Sequence, residues 1–158
     1  MMNTVKRKRI AVVCLAAFAF VLAFSAMPGK ALAYSPTYSG YTQSELDLLA
    51  RVVHGEAAGE PYVGKVAVAA VVLNRVHSHL FPDTIAGVIY EPWQFSCVGG
   101  WLFNSTPSAD SYKAAVDALN GWDPTYGALY YFNYHIVTNA WLWAKPHTIT
   151  IGNHYFTY

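Results

Sequence analysis

The spacing of apolar positions changes along the chain, and each regime predicts an element. Residues 10–24 form an unbroken apolar run, preceded by Lys6, Arg7, Lys8 and Arg9. Further on, Thr42-Gln43-Ser44-Glu45 has the spacing of a capping box, in which the Thr hydroxyl takes the N3 amide proton and Glu45 reaches back. Leu46, Leu49, Ala50 and Val53 follow at helical intervals, so a first helix is expected from Gln43 to Ala58. Gly59 and Pro61 interrupt it. Pro61 suits the first turn of a second helix running to His77. Its middle, Val66 to Leu73, is apolar on every side, the mark of a helix buried inside a domain. A short third helix is expected from Pro82-Asp83-Thr84, ended by Pro92. A fourth follows Ser108, with Tyr112, Ala115, Val116 and Leu119 on one face and Gly121 as its stop. The pattern then turns to aromatic and β-branched residues. Leu129–Tyr134 reads as a strand, and Thr148–Ile151 and His154–Thr157 flank Gly152-Asn153 as a two-residue hairpin. Helices first and strands last predict an α+β fold with a small C-terminal antiparallel sheet.

The first 33 residues read as a secretory leader rather than as part of this fold. A basic start, an apolar run and Ala31-Leu32-Ala33 supply the three regions of a cleaved signal peptide. The competing reading is an uncleaved anchor. Cys14 is not a lipoprotein anchor, because it lies too early and follows Val13. Residues 34–41 read as a linker, leaving one domain at 42–158. Removing the leader takes five of the ten basic residues and none of the nine acidic ones. Beyond Ala33, five basic side chains face nine acidic ones, a formal charge of −4 with histidine neutral. That balance does not support a nucleic-acid partner. Cys97 is the one cysteine beyond the leader, so no internal disulfide is available there and a packed core must carry the stability.

Two carboxylates stand out in His54-Gly55-Glu56-Ala57-Ala58-Gly59-Glu60-Pro61. Cleavage of a glycosidic bond needs a carboxyl that carries a proton to the leaving oxygen. Glu56 falls in the last turn of the first helix, where the dipole is negative and the charged form is disfavoured. Apolar neighbours such as Val52 and Val53 would disfavour it further. Glu60 lies near the positive start of the second helix, which suits an ionised, supporting role. The same pattern also fits two solvated helix-end carboxylates, and periodicity does not separate the readings.

The chain from Leu48 to Val76, which includes Gly55-Glu56-Ala57-Ala58-Gly59-Glu60, closely resembles the cell wall hydrolase family of spore-cortex-lytic enzymes. The similarity continues through Phe81-Pro82, Gly87-Val88-Ile89, Gln94-Phe95-Ser96, Ala118-Leu119-Asn120-Gly121-Trp122-Asp123-Pro124-Thr125, Leu129–Asn133 and Trp141-Leu142-Trp143. It ends at Ile151-Gly152-Asn153-His154-Tyr155-Phe156. The resemblance implies a lysozyme-like catalytic domain that attacks peptidoglycan glycan strands after N-acetylmuramic acid. The family is similar to lytic transglycosylases, which leave a 1,6-anhydro end, and its catalytic glutamate matches Glu56. No cofactor or metal is implied. Several members carry a separate wall-binding domain. The expectation here is that the catalytic groove, or a wall-associated partner, retains the substrate. Action is expected outside the cell, at the wall or spore cortex.

Sugars present flat C–H faces to aromatic rings, so Tyr131, Trp141 and Trp143 are candidate groove residues, ahead of Trp93 and Trp101. Most aromatics in a small domain serve the core instead. Gln94 and Asn133 are candidates for hydrogen bonds to N-acetyl groups. Three rival readings remain: a cysteine peptidase on Cys97 with His135 or His154, a zinc hydrolase on His77-x-His79 or His54-x-Glu56, and a non-catalytic wall-binding module. Cys97 heads no nucleophile motif, and neither His-Glu-x-x-His nor a Cys-x-x-Cys pair is present.

Overall fold

A computed structural model describes residues 40–158, so the leader and residues 34–39 of the linker lie outside the described residues. The helices are α1 (Gln43–Ala57), α2 (Tyr62–Val76), α3 (Ile85–Tyr90), α4 (Trp101–Asn104), α5 (Ala109–Leu119) and α6 (Ala140–Trp143). The strands are β1 (Tyr130–Asn133), β2 (His147–Ile151) and β3 (His154–Thr157). The α+β expectation is met, with the helices leading and a three-stranded sheet at the end.

Capping chemistry sets the helix starts. Thr42 accepts from Glu45 N–H and Glu45 Oε2 accepts from Thr42 N–H at 2.8 Å, which completes the capping box at α1. Thr84 caps α3 and Ser108 caps α5 through their side-chain oxygens. Pro61 is the N-cap of α2 rather than a residue of its first turn, and Lys65 N–H bonds back to its carbonyl at 3.1 Å. Two helices escape the sequence pattern. Both α4 and α6 are single turns of four residues, too short to show a period.

The core forms around α2. Val66 to Leu73 are buried, with α1, α3 and α5 supplying Leu49, Val52, Val53, Val88, Ile89, Ala114 and Ala115. Burying each such Val or Ile is worth about 1.5–3 kcal/mol. Ala67 and Val71, on another face of α2, pack with Phe156 and Ala128 to seat the sheet. The polar ends of this buried helix need partners. Lys65 Nζ donates to Glu60 O at 2.7 Å, and Arg75 Nε donates to Leu129 O at 2.7 Å.

The sheet order is β1-β3-β2, with β3 central and both pairings antiparallel. Gly152 takes φ 57°, the conformation that a two-residue hairpin loop asks of glycine at this position. A bulge between His147 and Ile149 sends the Thr148 hydroxyl onto Phe156 O at 3.2 Å. No helix among the described residues is long and apolar enough to cross a membrane.

Candidate active site

Glu56 projects from the last turn of α1, partly buried, toward two segments distant in sequence. Its Oε1 accepts from the Cys97 backbone N–H at 3.0 Å and from the Ser96 hydroxyl at 3.4 Å. Its Oε2 accepts from the Tyr131 hydroxyl at 3.3 Å. One oxygen is thus held by a backbone donor and the other by a phenol from β1. Val52 and Val53, expected to crowd the carboxyl, are core residues, and its recorded partners are polar.

The glycine before Glu56 explains how Cys97 comes so close. A Cβ on Gly55 would lie 2.6 Å from Cys97 Cβ and 2.8 Å from its Sγ. Only glycine lets the 96–97 segment lie against the helix end. Burial, then the neighbouring Glu56 carboxylate, pushes the Cys97 thiol well above its ordinary range, which leaves it a poor nucleophile. Burial and Glu56 likewise hold the Tyr131 phenol well above its usual value, only partly offset by Arg75, so it stays a proton donor.

Glu60 does something different. Its Oε2 accepts from Asn153 N–H and its Oε1 from Asn153 Nδ2, both at 3.0 Å. Partial burial pushes this carboxyl upward, but the two Asn153 bonds, with His154 and Lys65 nearby, outweigh it and hold it below the ordinary carboxylate range. It clamps the β2–β3 turn to the start of α2, and a side chain at Gly152 would collide with it. His154, 7% exposed, lies tilted against the Tyr131 ring with centroids 5.0 Å apart, and its Nδ1 is buried without a hydrogen-bond partner. Burial lowers its basicity against the pull of Glu60 and Glu56.

The other candidates divide by what already engages them. Gln94 Oε1 accepts from Arg75 Nη1 at 3.1 Å, so the residue leads into the 96–97 segment on a buried anchor. Asn133 Oδ1 accepts from His135 N–H at 3.0 Å at the end of β1. Trp143 packs on Phe132 and Tyr155, and its Nε1–H donates to Val137 O. Trp141 is 58% exposed, edge-on to Tyr130 and covered on one side by Lys145 at 4.2 Å. Among the groove candidates proposed from sequence, Tyr131 is the one that hydrogen-bonds Glu56. Ser96 and the Cys97 N–H were not expected as site groups. The available signal was Gly55, a glycine inside a helix, which hints at close approach.

His54 Nδ1 sits 3.4 Å from Ser111 Oγ, and no group of three His, Cys, Asp or Glu side chains that could hold a metal ion occurs among the described residues. A separate cavity of about 360 Å³ is lined by Tyr41, Leu73, Asn74, His77, Trp122 and Asp123 and excludes Glu56. Its Asp123 carboxylate accepts from Thr125 and Gly127 of its own loop and from Asn74 of α2.

A glutamate at a helix end, hydrogen-bonded to the first strand of a small antiparallel sheet, fits a lysozyme-like α+β domain. Residues 59–157 match the cell wall hydrolase family, and the chain belongs to that family. Glu56 lies just ahead of the matched span. A spore cortex-lytic enzyme of Bacillus cereus is 51% identical over 118 residues, covering 75% of this chain and 46% of that protein. The chain therefore spans less than half the length of that relative. The crystal structure of the catalytic domain of the Bacillus cereus SleB protein superposes with a TM-score of 0.72 at 49% identity, covering 77% of this chain and 95% of that one. The catalytic domain of the germination-specific lytic transglycosylase SleB from Bacillus anthracis gives 0.71 at 50% identity, covering 75% and 98%.

Proposed function

We propose that this domain degrades peptidoglycan as a lytic transglycosylase, cutting the bond after N-acetylmuramic acid, with spore cortex as its substrate. The observation that carries the reading is the asymmetric hold on Glu56. Oε1 is occupied by the Cys97 N–H and Ser96, which leaves Oε2, with a single phenol donor, as the oxygen to carry and deliver a proton. In the first step Oε2–H protonates the glycosidic oxygen, the C1–O bond breaks, and C1 takes on oxocarbenium character. Oε1 and Oε2, now ionised, keep the same three donors, which stabilise the charge as it develops. In the second step the muramic 6-hydroxyl bonds to C1 and returns its proton to Glu56. One carboxyl serves as acid and then base, and no water is consumed. The ring holds the nucleophile nearby, so the reaction needs no second activated group. Glu60 fits this scheme because both its oxygens are engaged by the hairpin, which makes it a structural clamp rather than a base for water. The relatives' names, spore cortex-lytic enzyme and germination-specific lytic transglycosylase, support the same reaction and substrate. The leader expected at 1–33 fits delivery to the wall.

Digestion of purified sacculi in heavy-oxygen water tests the chemistry. The expected products end in anhydro-muramic acid without label. Label at new reducing muramic ends would mean hydrolysis, and the absence of any released fragment would leave only a wall-binding module.

A further inference from the structure

Trp93 occupies a place where a tryptophan is doubly unfavourable. Gln94 N–H bonds to Glu91 O at 3.3 Å, closing a four-residue turn with Pro92 and Trp93 at its centre. Pro92 suits the first central position, whereas the second, at φ 70°, belongs to a type II turn and calls for glycine or asparagine. The indole gains nothing in return, since Trp93 is 101% exposed. The other non-glycine residue with positive φ, Tyr126 at 57°, is pinned by its surroundings: its carbonyl takes the Tyr158 hydroxyl, and both neighbours bond to Asp123. Backbone strain that the fold itself does not repay concentrates at ligand sites.

The position of the turn says which ligand. Three residues on, Ser96 and then Cys97 hold Glu56 Oε1, so the Trp93 Cα lies within about 11 Å of Ser96 even if the chain between them were fully extended. On the other flank, Gly100 N–H turns back onto Cys97 O at 2.8 Å and delivers Trp101, 81% exposed, at the start of α4. The segment that grips the catalytic candidate is thus bracketed by two solvent-facing indoles. Arg75 anchors its root by bonding Gln94.

We propose that Trp93 is a sugar-stacking residue that binds the glycan strand beside the scissile bond, with Trp101 extending the same track. This rests on the reading of Glu56 as the site of strand cleavage. An indole face matches the C–H face of a pyranose ring, and the turn holds the backbone that carries it beside the segment gripping Glu56. The strained turn is the cost of aiming it.

The test exploits opposite signs in two readouts. Trp93→Gly relieves the backbone, so it should melt at a higher temperature than the parent. In a Glu56→Gln background the same change should weaken cosedimentation with purified sacculi about tenfold, the loss typical of a buried aromatic anchor. Tyr126→Gly, which relieves the same conformation away from the site, should keep the parent's affinity. Unchanged sacculus binding in Trp93→Gly overturns the proposal, as does an equal loss in Tyr126→Gly or a change in sedimentation showing that Trp93 joins two copies. Wild-type turnover is scored separately: binding that depends on Trp93 without any cleavage sinks the transglycosylase reading, and with it the placement beside a scissile bond, while the sugar-stacking role of Trp93 stands.

Discussion

Gly55→Ala places one methyl group where the structure has no room for it. The new Cβ would lie 2.6 Å from Cys97 Cβ and 2.8 Å from its Sγ, against an ordinary carbon contact of about 3.5–4.0 Å, so the 96–97 segment must retreat by about 1 Å. The Cys97 N–H to Glu56 Oε1 distance, 3.0 Å, then opens to about 4 Å and ceases to be a hydrogen bond. A hydrogen bond to a charged group is worth about 1.5–3 kcal/mol. Because its contribution grows as Glu56 ionises, we expect turnover on sacculi to fall by about 10- to 100-fold. Overpacking costs about 1–3 kcal/mol and a helical Gly→Ala change returns about 1 kcal/mol, so the net loss of stability should be no more than about 2 kcal/mol. The assay is the rate of muropeptide release beside a thermal melt, with Gly59→Ala as control, where a Cβ would meet nothing within 4 Å. Adding Cys97→Gly removes both clashing atoms and should restore most of the lost rate. A Gly55→Ala protein with the wild-type rate, or one that Cys97→Gly does not rescue, would refute the reasoning.

Tyr131→Phe keeps the ring packing but removes the donor to Glu56 Oε2, so kcat should drop about tenfold with the melt little changed, by the same hydrogen-bond magnitude. Wild-type kcat would show that the phenol is a bystander. Glu60→Gln sets an amide against the Asn153 donors and should cost on the order of 1 kcal/mol of stability, with little effect on kcat; a collapse of kcat in a stable protein would make Glu60 catalytic. Burial depresses His154 in the folded state, so the unfolded chain binds more protons. Its contribution to stability is present above pH 6.5 and is lost as pH falls through the folded-state value. Denaturant titrations at a series of pH values from 7.5 to 5 should show that decline, and His154→Leu should flatten it; a parallel decline in the variant would assign it elsewhere.

Much of the framework was readable before the fold. The Thr42–Glu45 box, the Ser108 cap and the all-apolar Val66–Leu73 stretch mark α1, α5 and the buried α2, because those signals are local. The hairpin at Gly152-Asn153 was readable for the same reason. The central place of β3 was not, since strand order depends on pairing between Tyr131 and Phe156 across a long loop. Helix-end position made Glu56 a candidate and the family resemblance singled it out, but its partners lie 40, 41 and 75 residues away and left no trace in periodicity. The hairpin clamp on Glu60 spans 93 residues and was equally hidden. The sequence offers Trp93 as a groove candidate only behind Tyr131, Trp141 and Trp143. Only its backbone conformation sets it apart.

The central claim is that one carboxyl, on Glu56, makes and takes the proton. The most direct measurement is muropeptide release from purified sacculi by Glu56→Gln, with sacculus binding and the melt recorded on the same protein. An amide fills the same space and can still accept at Oε1, so folding and binding should persist while release falls to background. Release by Glu56→Gln at a substantial fraction of the wild-type rate would contradict the account.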